Sequence, residues 1–128
     1  MQKTERSQKI NQKTVALKAY TRIANAWGLD PSEAAALAAL PSETWTRNRD
    51  VGFDGDLSEE QLVRLSALVG IYQALEAYFE EPLSRTWFSR TNDGPLFNGK
   101  RPVETAIEGG LPQLLAIRRY LDALLMGL

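Results

Sequence analysis

Residues 57–82, LSEEQLVRLSALVGIYQALEAYFEEP, carry the pattern that decides the fold. Ser58 followed by Gln61 has the spacing of a capping box, in which each side chain bonds to the backbone of the other residue and starts a helix. Apolar residues then recur at helical spacing until the Glu-Pro at the end of the segment, so one long helix is predicted. At 1.5 Å per residue this helix spans roughly 30 Å, the width of a small domain. We expect it to join the two halves of the chain.

Upstream of this segment the sequence predicts a first helix that begins near residue 14. Four apolar residues recur at every fourth position and form one stripe: Val15, Ala19, Ile23 and Trp27. Gly28 follows directly, where a glycine commonly ends a helix because it adopts the left-handed conformation without strain. Residues 1–13 are mostly polar, and we expect an N-terminal arm or a frayed lead-in to the helix.

Two short helices are predicted between residues 30 and 50. Asp30 followed by Glu33 has capping-box spacing, and Pro31 suits the first turn of the helix that these residues begin. The Ala-rich helix runs to about Ala38, and the chain then turns at a Leu-Pro pair. Ser42 is expected to cap the third helix. Two helices joined by a turn of three or four residues form a helix-turn-helix.

Downstream of residue 82 the predicted elements are also helical. A short helix over residues 83–89 turns Trp87 and Phe88 inward, and an ordered loop covers residues 96–102. A brief helix around residues 103–107 is stopped by a Gly-Gly pair, and a final helix begins at about Pro112. Its apolar face consists of Leu114, Ile117, Leu121 and Leu124, widened by Leu111, Leu115 and Leu125. The predicted fold class is therefore all-α.

Composition narrows the possible chemistry. The 128 residues include no cysteine and no histidine, so disulfides, thiolate nucleophiles, imidazole bases and the usual zinc and haem ligands are excluded. We therefore expect no catalytic residue, no metal and no cofactor, and we expect the protein not to be an enzyme. No apolar run is long enough to cross a membrane and the N-terminus lacks an apolar signal segment, which predicts a cytoplasmic protein.

Charge divides the chain into a basic front and an acidic back. Residues 1–50 hold eight Lys/Arg and five Asp/Glu, whereas residues 51–128 hold seven and eleven. A basic front suits contact with nucleic acid, and an acidic back suits a protein partner.

The third helix displays side chains that are suited to reading DNA in the major groove. Arg47 could make a bidentate contact to guanine and Asn48 could pair with adenine. The full set of candidate DNA-binding residues is Ser42, Thr44, Thr46, Arg47, Asn48 and Arg49. Trp45, in their midst, is predicted to be a core anchor. The alternative interpretation is a helical corner whose polar helix faces only solvent.

The end of the chain, LLMGL at residues 124–128, is unusually apolar for a terminus. Leucines spread beyond a single core stripe are consistent with a surface that a second polypeptide covers. A well-packed last helix explains the same pattern, and the sequence leaves both interpretations open.

The succession of these elements resembles the Xre/MbcA/ParS-like antitoxin family. The resemblance rests on a long helix opened by Leu57-Ser58, on Trp87-Phe88, on LFNGKRP at residues 96–102, on Gly109-Gly110 and on a Leu-rich last helix that ends at Gly127. It implies a protein that represses its own operon and self-associates, as a homodimer. It also implies that the C-terminal module binds a RES-type toxin, which degrades NAD, and blocks its active site.

These inferences divide the chain into an arm (residues 1–13), an Xre-like helix-turn-helix region (14–70) and a toxin-binding domain (71–128), with the long helix bridging the last two. The candidate toxin-binding residues are Asn98, Lys100, Arg101, Arg118, Arg119, Met126 and Leu128. The expected partners are the cognate toxin and operator DNA. The main alternative is a one-component helix-turn-helix regulator with a C-terminal ligand or dimerisation module, and an enzyme is a second alternative.

Overall fold

The computed structural model describes residues 2–52 and 55–127, and describes side chains from residue 12 onward except that of Val51. Every regular element in this part of the chain is helical, which confirms the predicted all-α class. The elements are α1 (Gln2–Ala26), α2 (Pro31–Leu37), α3 (Ser42–Val51), α4 (Glu59–Tyr78), α5 (Leu83–Thr86), a 3₁₀ turn (Trp87–Ser89) and α6 (Pro102–Leu125). None of the helices in the described ranges is both long and apolar enough to cross a membrane.

Helix α4 is the central element and packs between α1 and α6. Its predicted start is confirmed: the Ser58 hydroxyl accepts a hydrogen bond from the Gln61 amide at 3.0 Å, and the Gln61 side chain accepts one from the Ser58 amide at 2.8 Å. The helix ends at Tyr78, because Phe79 has already turned to an extended conformation three residues before Pro82. Its inner side is fully buried along Leu65, Leu68, Ile71 and Leu75.

Helix α1 differs from its prediction in length and in the face that it buries. It begins at Gln2, so residues 2–13 continue the helix that was expected to start near residue 14. Val15 was predicted to lie in the apolar stripe, yet 65% of it is exposed, whereas Leu17, which was not assigned to the stripe, is buried. Helix α1 packs on α4 and also contacts α3 through Tyr20 and Thr21. Ile23 and Trp27 are buried, as predicted.

The predicted capping box of α2 is confirmed. The Asp30 carboxylate accepts a hydrogen bond from the Glu33 amide at 2.8 Å, and the Glu33 carboxylate accepts one from the Asp30 amide at 3.3 Å. The hydrogen bonds made by the Asp30 carboxylate to Ser32 and Glu33 lower the pKa of its carboxyl. The prediction for α3 was wrong in one detail: Pro41 is the N-cap, and Ser42 already lies in the first turn without a side-chain cap bond.

Aromatic side chains join the two halves of the chain into one core. The indole of Trp27, at the end of α1, stacks on the ring of Phe88 with centroids 4.6 Å apart and lies 6.2 Å from the ring of Tyr72. Both Trp27 and Phe88 are buried. The DNA-facing and toxin-facing halves predicted from the sequence therefore share a continuous core.

Helix α6 contains the break that the Gly-Gly pair predicted. Gly110 has φ 66° and ψ −150°, a backbone conformation that is essentially restricted to glycine, and the helical turns on either side of it point in different directions. Beyond the break, Leu114, Ile117 and Leu121 are completely or almost completely buried. These three residues belong to the core, and the large apolar side chains described as exposed beyond the break are those of Leu125 and Met126 in the last turn.

Burial of the Tyr20 phenol predicts a loss of stability in alkali. Its hydroxyl donates a 2.7 Å hydrogen bond to the Ala34 carbonyl oxygen, and burial, with a further effect of the Glu33 charge, raises the pKa of Tyr20 above its ordinary value. The unfolded chain loses this proton above about pH 10 while the folded chain keeps it. The folded state should therefore lose about 1.4 kcal/mol of stability per pH unit above that point.

Urea unfolding of the wild type and of Tyr20→Phe between about pH 8 and pH 11 measures this effect. The variant should lose about 1 kcal/mol at pH 8 with the hydrogen bond. Above about pH 10 the free energy of unfolding of the variant should then fall less steeply with pH than that of the wild type. Equal declines would contradict the assignment to Tyr20.

Candidate nucleic-acid and protein-binding sites

Helices α2 and α3 form a helix-turn-helix that packs against α1 through an aromatic contact and side-chain hydrogen bonds. The turn passes through Ala39, which has a left-handed φ of 55°. Among the described side chains of α3, Trp45 is the buried one, at 3% exposure, and its ring lies 5.4 Å from the ring of Tyr20 on α1. The prediction that Trp45 is a core anchor is confirmed. Its position leaves the opposite face of α3 open to solvent.

The structure separates the six candidate DNA-binding residues into two groups. Four of them are exposed: Ser42, Thr46, Arg47 and Arg49. Thr44 and Asn48 are only partly exposed, and the Asn48 amide donates a 3.2 Å hydrogen bond to the Thr21 hydroxyl on α1. This bond holds α3 against α1, so Asn48 positions the helix, whereas Arg47 points outward.

The exposed face of α3 has no net positive charge. Glu43 and Asp50 are both exposed and lie on the same outward side as Arg47. The guanidinium of Arg49 forms an ion pair with the Asp50 carboxylate at 3.3 Å. Two carboxylates thus balance two guanidinium groups on the helix expected to enter the groove.

Sequence reasoning missed two cations that lie beside α3. Lys18 and Arg22, four residues apart on α1, are exposed and line a shallow groove of about 230 Å³ together with Asn48 of α3 and Gly52, which follows α3. Their spacing places both on one side of a helix. This spacing could have been read from the sequence, but their closeness to α3 could not.

The loop between the 3₁₀ turn and α6 is built around Phe97. This side chain is completely buried, edge-on to the ring of Trp87 at 5.5 Å and to the ring of Tyr120 at 6.0 Å. Backbone bonds close the loop: the Gly99 amide donates to the Asn92 carbonyl at 2.9 Å, and the Asn92 amide donates to the Lys100 carbonyl at 3.0 Å. The loop tip is therefore held in one conformation.

That tip presents two of the candidate toxin-binding residues. Asn98 is exposed and has a left-handed φ of 57°, and Lys100 is exposed with its ammonium group 3.3 Å from the Glu108 carboxylate. Arg101 follows, and its partly exposed side chain is paired with carboxylates of the same chain. Its guanidinium donates to the carboxylates of Glu104 at 2.6 Å and Glu33 at 3.1 Å.

Arg101 therefore connects the start of α6 to the capping box of α2, 68 residues away in sequence. The hydrogen bond to Glu104, with a smaller effect of Glu33, raises the pKa of the Arg101 guanidinium although burial opposes the shift, and the same contact with Arg101 lowers the pKa of Glu104. The positive charge of Arg101 is therefore paired with two carboxylates of the same chain.

The remaining candidates lie on the second part of α6. Arg118 is half-buried against α4, where a Cβ on Gly70 would come within 2.6 Å of its guanidinium carbon. Arg119 is exposed, and Met126, at 73% exposure, is the most exposed large apolar residue described. Leu128 lies outside the described residues. The candidate set is thus split between the loop tip and the end of α6.

A larger groove runs between α1 and α4. It encloses about 580 Å³ and is lined mainly by apolar side chains, among them Val15, Leu62 and Val69, with Arg118 at one side. This volume is within the range of small-molecule sites.

The link made by Arg101 predicts a measurable coupling between the two halves. We expect a double-mutant cycle of Arg101→Gln and Glu33→Gln to give about 0.5 kcal/mol at low salt, because both side chains are partly exposed to solvent. Glutamine at position 33 preserves the capping box, so the cycle isolates the ion pair. Urea unfolding in about 0.05 M and about 1 M salt should show the coupling disappear by screening. A coupling of zero at low salt would contradict the link.

Comparison with known proteins places the N-terminal half in a defined family. Residues 9–70, which span most of α1 and extend to the middle of α4, match the antitoxin Xre-like helix-turn-helix domain. Over 109 residues the chain is 31% identical to the uncharacterized protein y4oB of Sinorhizobium fredii (strain NBRC 101917 / NGR234), covering 84% of this chain and 81% of that protein. No solved structure gives a significant match.

Proposed function

Because the chain belongs to the Xre-like antitoxin family, we propose that it is the antitoxin of a type II toxin–antitoxin pair. In this proposal it binds a RES-type, NAD-degrading toxin in the cytoplasm, blocks the toxin's active site, and represses its own operon as a homodimer bound to operator DNA. The observation that carries the proposal is the match of residues 9–70 to an antitoxin helix-turn-helix domain. No catalytic role is assigned to any residue.

We assign toxin contact to the ordered loop tip and to the last turn of α6. Asn98 and Lys100 are exposed on a loop that the buried Phe97 holds in place, and a pre-ordered loop loses little entropy on binding. Leu125 and Met126 leave apolar surface uncovered at the end of the helix. Arg119 is exposed nearby, whereas Arg101 and Arg118 act first in holding the fold.

Toxin neutralisation is tested by coexpression with the protein encoded by the adjacent reading frame. That protein alone should arrest growth and lower cellular NAD, and the wild-type chain should restore both. The variant Lys100→Glu with Met126→Asp should copurify less toxin and restore growth poorly, while Arg90→Glu, an exposed change outside the proposed surface, should behave like the wild type. An adjacent product that causes no arrest and does not copurify would refute the antitoxin assignment.

Operator reading is tested separately at Arg47, the exposed arginine of α3 without an ion pair to any described residue. If it reads a base, Arg47→Ala should weaken operator binding by about 1–3 kcal/mol and relax the preference at one base pair. Arg90→Ala is the matched control. Unchanged affinity and preference for Arg47→Ala would remove this residue from the interface.

A one-component regulator is the second candidate, and the groove between α1 and α4 favours it because its volume suits a small ligand. This function predicts that a metabolite raises the melting temperature of the isolated chain and changes operator affinity. A chain that responds to no metabolite but copurifies with the neighbouring protein would exclude this second function.

A further inference from the structure

The charge balance of α3 raises the question of which groups bind the DNA backbone. Phosphate neutralisation by Lys and Arg supplies a large part of protein–DNA affinity. On α3, however, the carboxylates of Glu43 and Asp50 offset Arg47 and Arg49, and Arg49 is already paired with Asp50. A helix with no net charge contributes little long-range attraction, so cations from another element are needed.

We propose that Lys18 and Arg22 of α1 form a phosphate-binding site beside the recognition helix. Both side chains are exposed, and both line the groove of about 230 Å³ that α1 forms with the C-terminal part of α3. Neither forms an ion pair with another described side chain. Lys13, which precedes Lys18 on α1, is instead paired with Asp56: its ammonium group lies 3.0 Å from the Asp56 carboxylate. The two cations are thus available to an external anion.

Three polar residues line this groove beside the two cations. Thr14, Thr21 and Asn48 supply hydroxyl and amide groups beside the two cations. The Thr21 hydroxyl donates to the Leu17 carbonyl at 2.7 Å and accepts from the Asn48 amide at 3.2 Å. This chain of bonds fixes α3 relative to the cations. A DNA phosphate held at Lys18 and Arg22 would therefore set the orientation in which α3 enters the major groove of DNA.

The proposal rests on the proposed DNA-binding function and assigns base contacts and phosphate contacts to different helices. Arg47 on α3 contacts bases, whereas Lys18 and Arg22 contact backbone phosphates and are indifferent to sequence. Loss of the α1 cations should therefore weaken binding to every duplex alike, whereas loss of Arg47 should reduce discrimination between sequences.

The test compares the wild-type chain, Lys18→Gln/Arg22→Gln and the control Arg85→Gln/Arg90→Gln, which removes two positive charges from the C-terminal half. Fluorescence anisotropy measures binding to the DNA upstream of the operon and to a scrambled duplex, over a range of salt concentrations. Circular dichroism confirms that each variant is folded.

Two phosphate contacts should contribute about 1.8 to the slope of log K against log salt concentration. The α1 variant should lose that amount of slope, bind roughly tenfold or more weakly at low salt and keep its ratio of operator to scrambled binding. The control should keep the wild-type slope. A wild-type slope and affinity in the α1 variant would overturn the proposal while leaving operator binding intact.

Other outcomes separate this proposal from the proposed function. A wild-type chain that binds both duplexes equally, with a slope that the α1 variant lowers, would remove specific operator reading and support the phosphate site. A wild-type chain that binds neither duplex would overturn both.

Discussion

Replacing Phe97 with alanine should lower the free energy of unfolding by about 3–5 kcal/mol, the cost expected when a large aromatic side chain is deleted from a core. Phe97 is completely buried and contacts the rings of Trp87 and Tyr120 edge-on, so the deletion removes two aromatic contacts and leaves a cavity. Since domains are stable by about 5–15 kcal/mol, the loss is a large fraction of the total.

The consequence should be strongest in the loop that Phe97 holds. Without this anchor, the tip that carries Asn98 and Lys100 loses its fixed conformation, and copurification of toxin should fall together with stability. Ile107→Ala is the control. Because Ile107 is 36% exposed, its replacement should lower the free energy of unfolding far less. Urea unfolding measures both variants. A loss below about 1 kcal/mol for Phe97→Ala would show that the loop does not depend on the core.

Trp45→Ala, at the other end of the molecule, should also lower the free energy of unfolding by about 3–5 kcal/mol. Trp45 is buried and joins α3 to Tyr20 on α1. An isolated ten-residue helix is only marginally stable in water. Without its anchor α3 should therefore lose both its position and part of its helicity, and operator binding should be lost.

Thr46→Ala provides the matched comparison, since Thr46 is the next residue and is exposed. It should change stability by less than about 0.5 kcal/mol. Its effect on DNA binding then reports contact and not folding. Comparable stability losses at positions 45 and 46 would contradict the structural assignment of the two faces of α3.

Features that depend on a few consecutive residues were predictable from the sequence. The capping boxes at Asp30 and Ser58 formed as expected, because each needs only two residues three positions apart. The break at Gly110 was also predictable, since glycine tolerates a backbone conformation that other residues avoid. Ser42 was mispredicted as a cap because Pro41, directly before it, occupies the N-cap position.

Features that depend on contacts between distant segments could not be predicted in this way. Val15 matches the helical repeat of α1, but the position of α3 and α4 around the helix left it exposed. Arg101 and Arg118 look like available cations in the sequence, whereas folding brings Glu33 to the first and the backbone of α4 to the second. The site on α1 was missed for the same reason.

For this protein the sequence by itself determined the helical class, the order of the helices, most of their boundaries and the resemblance to antitoxins. Those properties arise from local hydrogen bonding and from the 3.6-residue repeat, and both involve only residues within one turn or one helix. Only the tertiary structure decided which cations are consumed by internal ion pairs and which face solvent. Lys13 and Arg101, for example, are paired with carboxylates 43 and 68 residues away, because the free charge of a side chain depends on what folding places beside it.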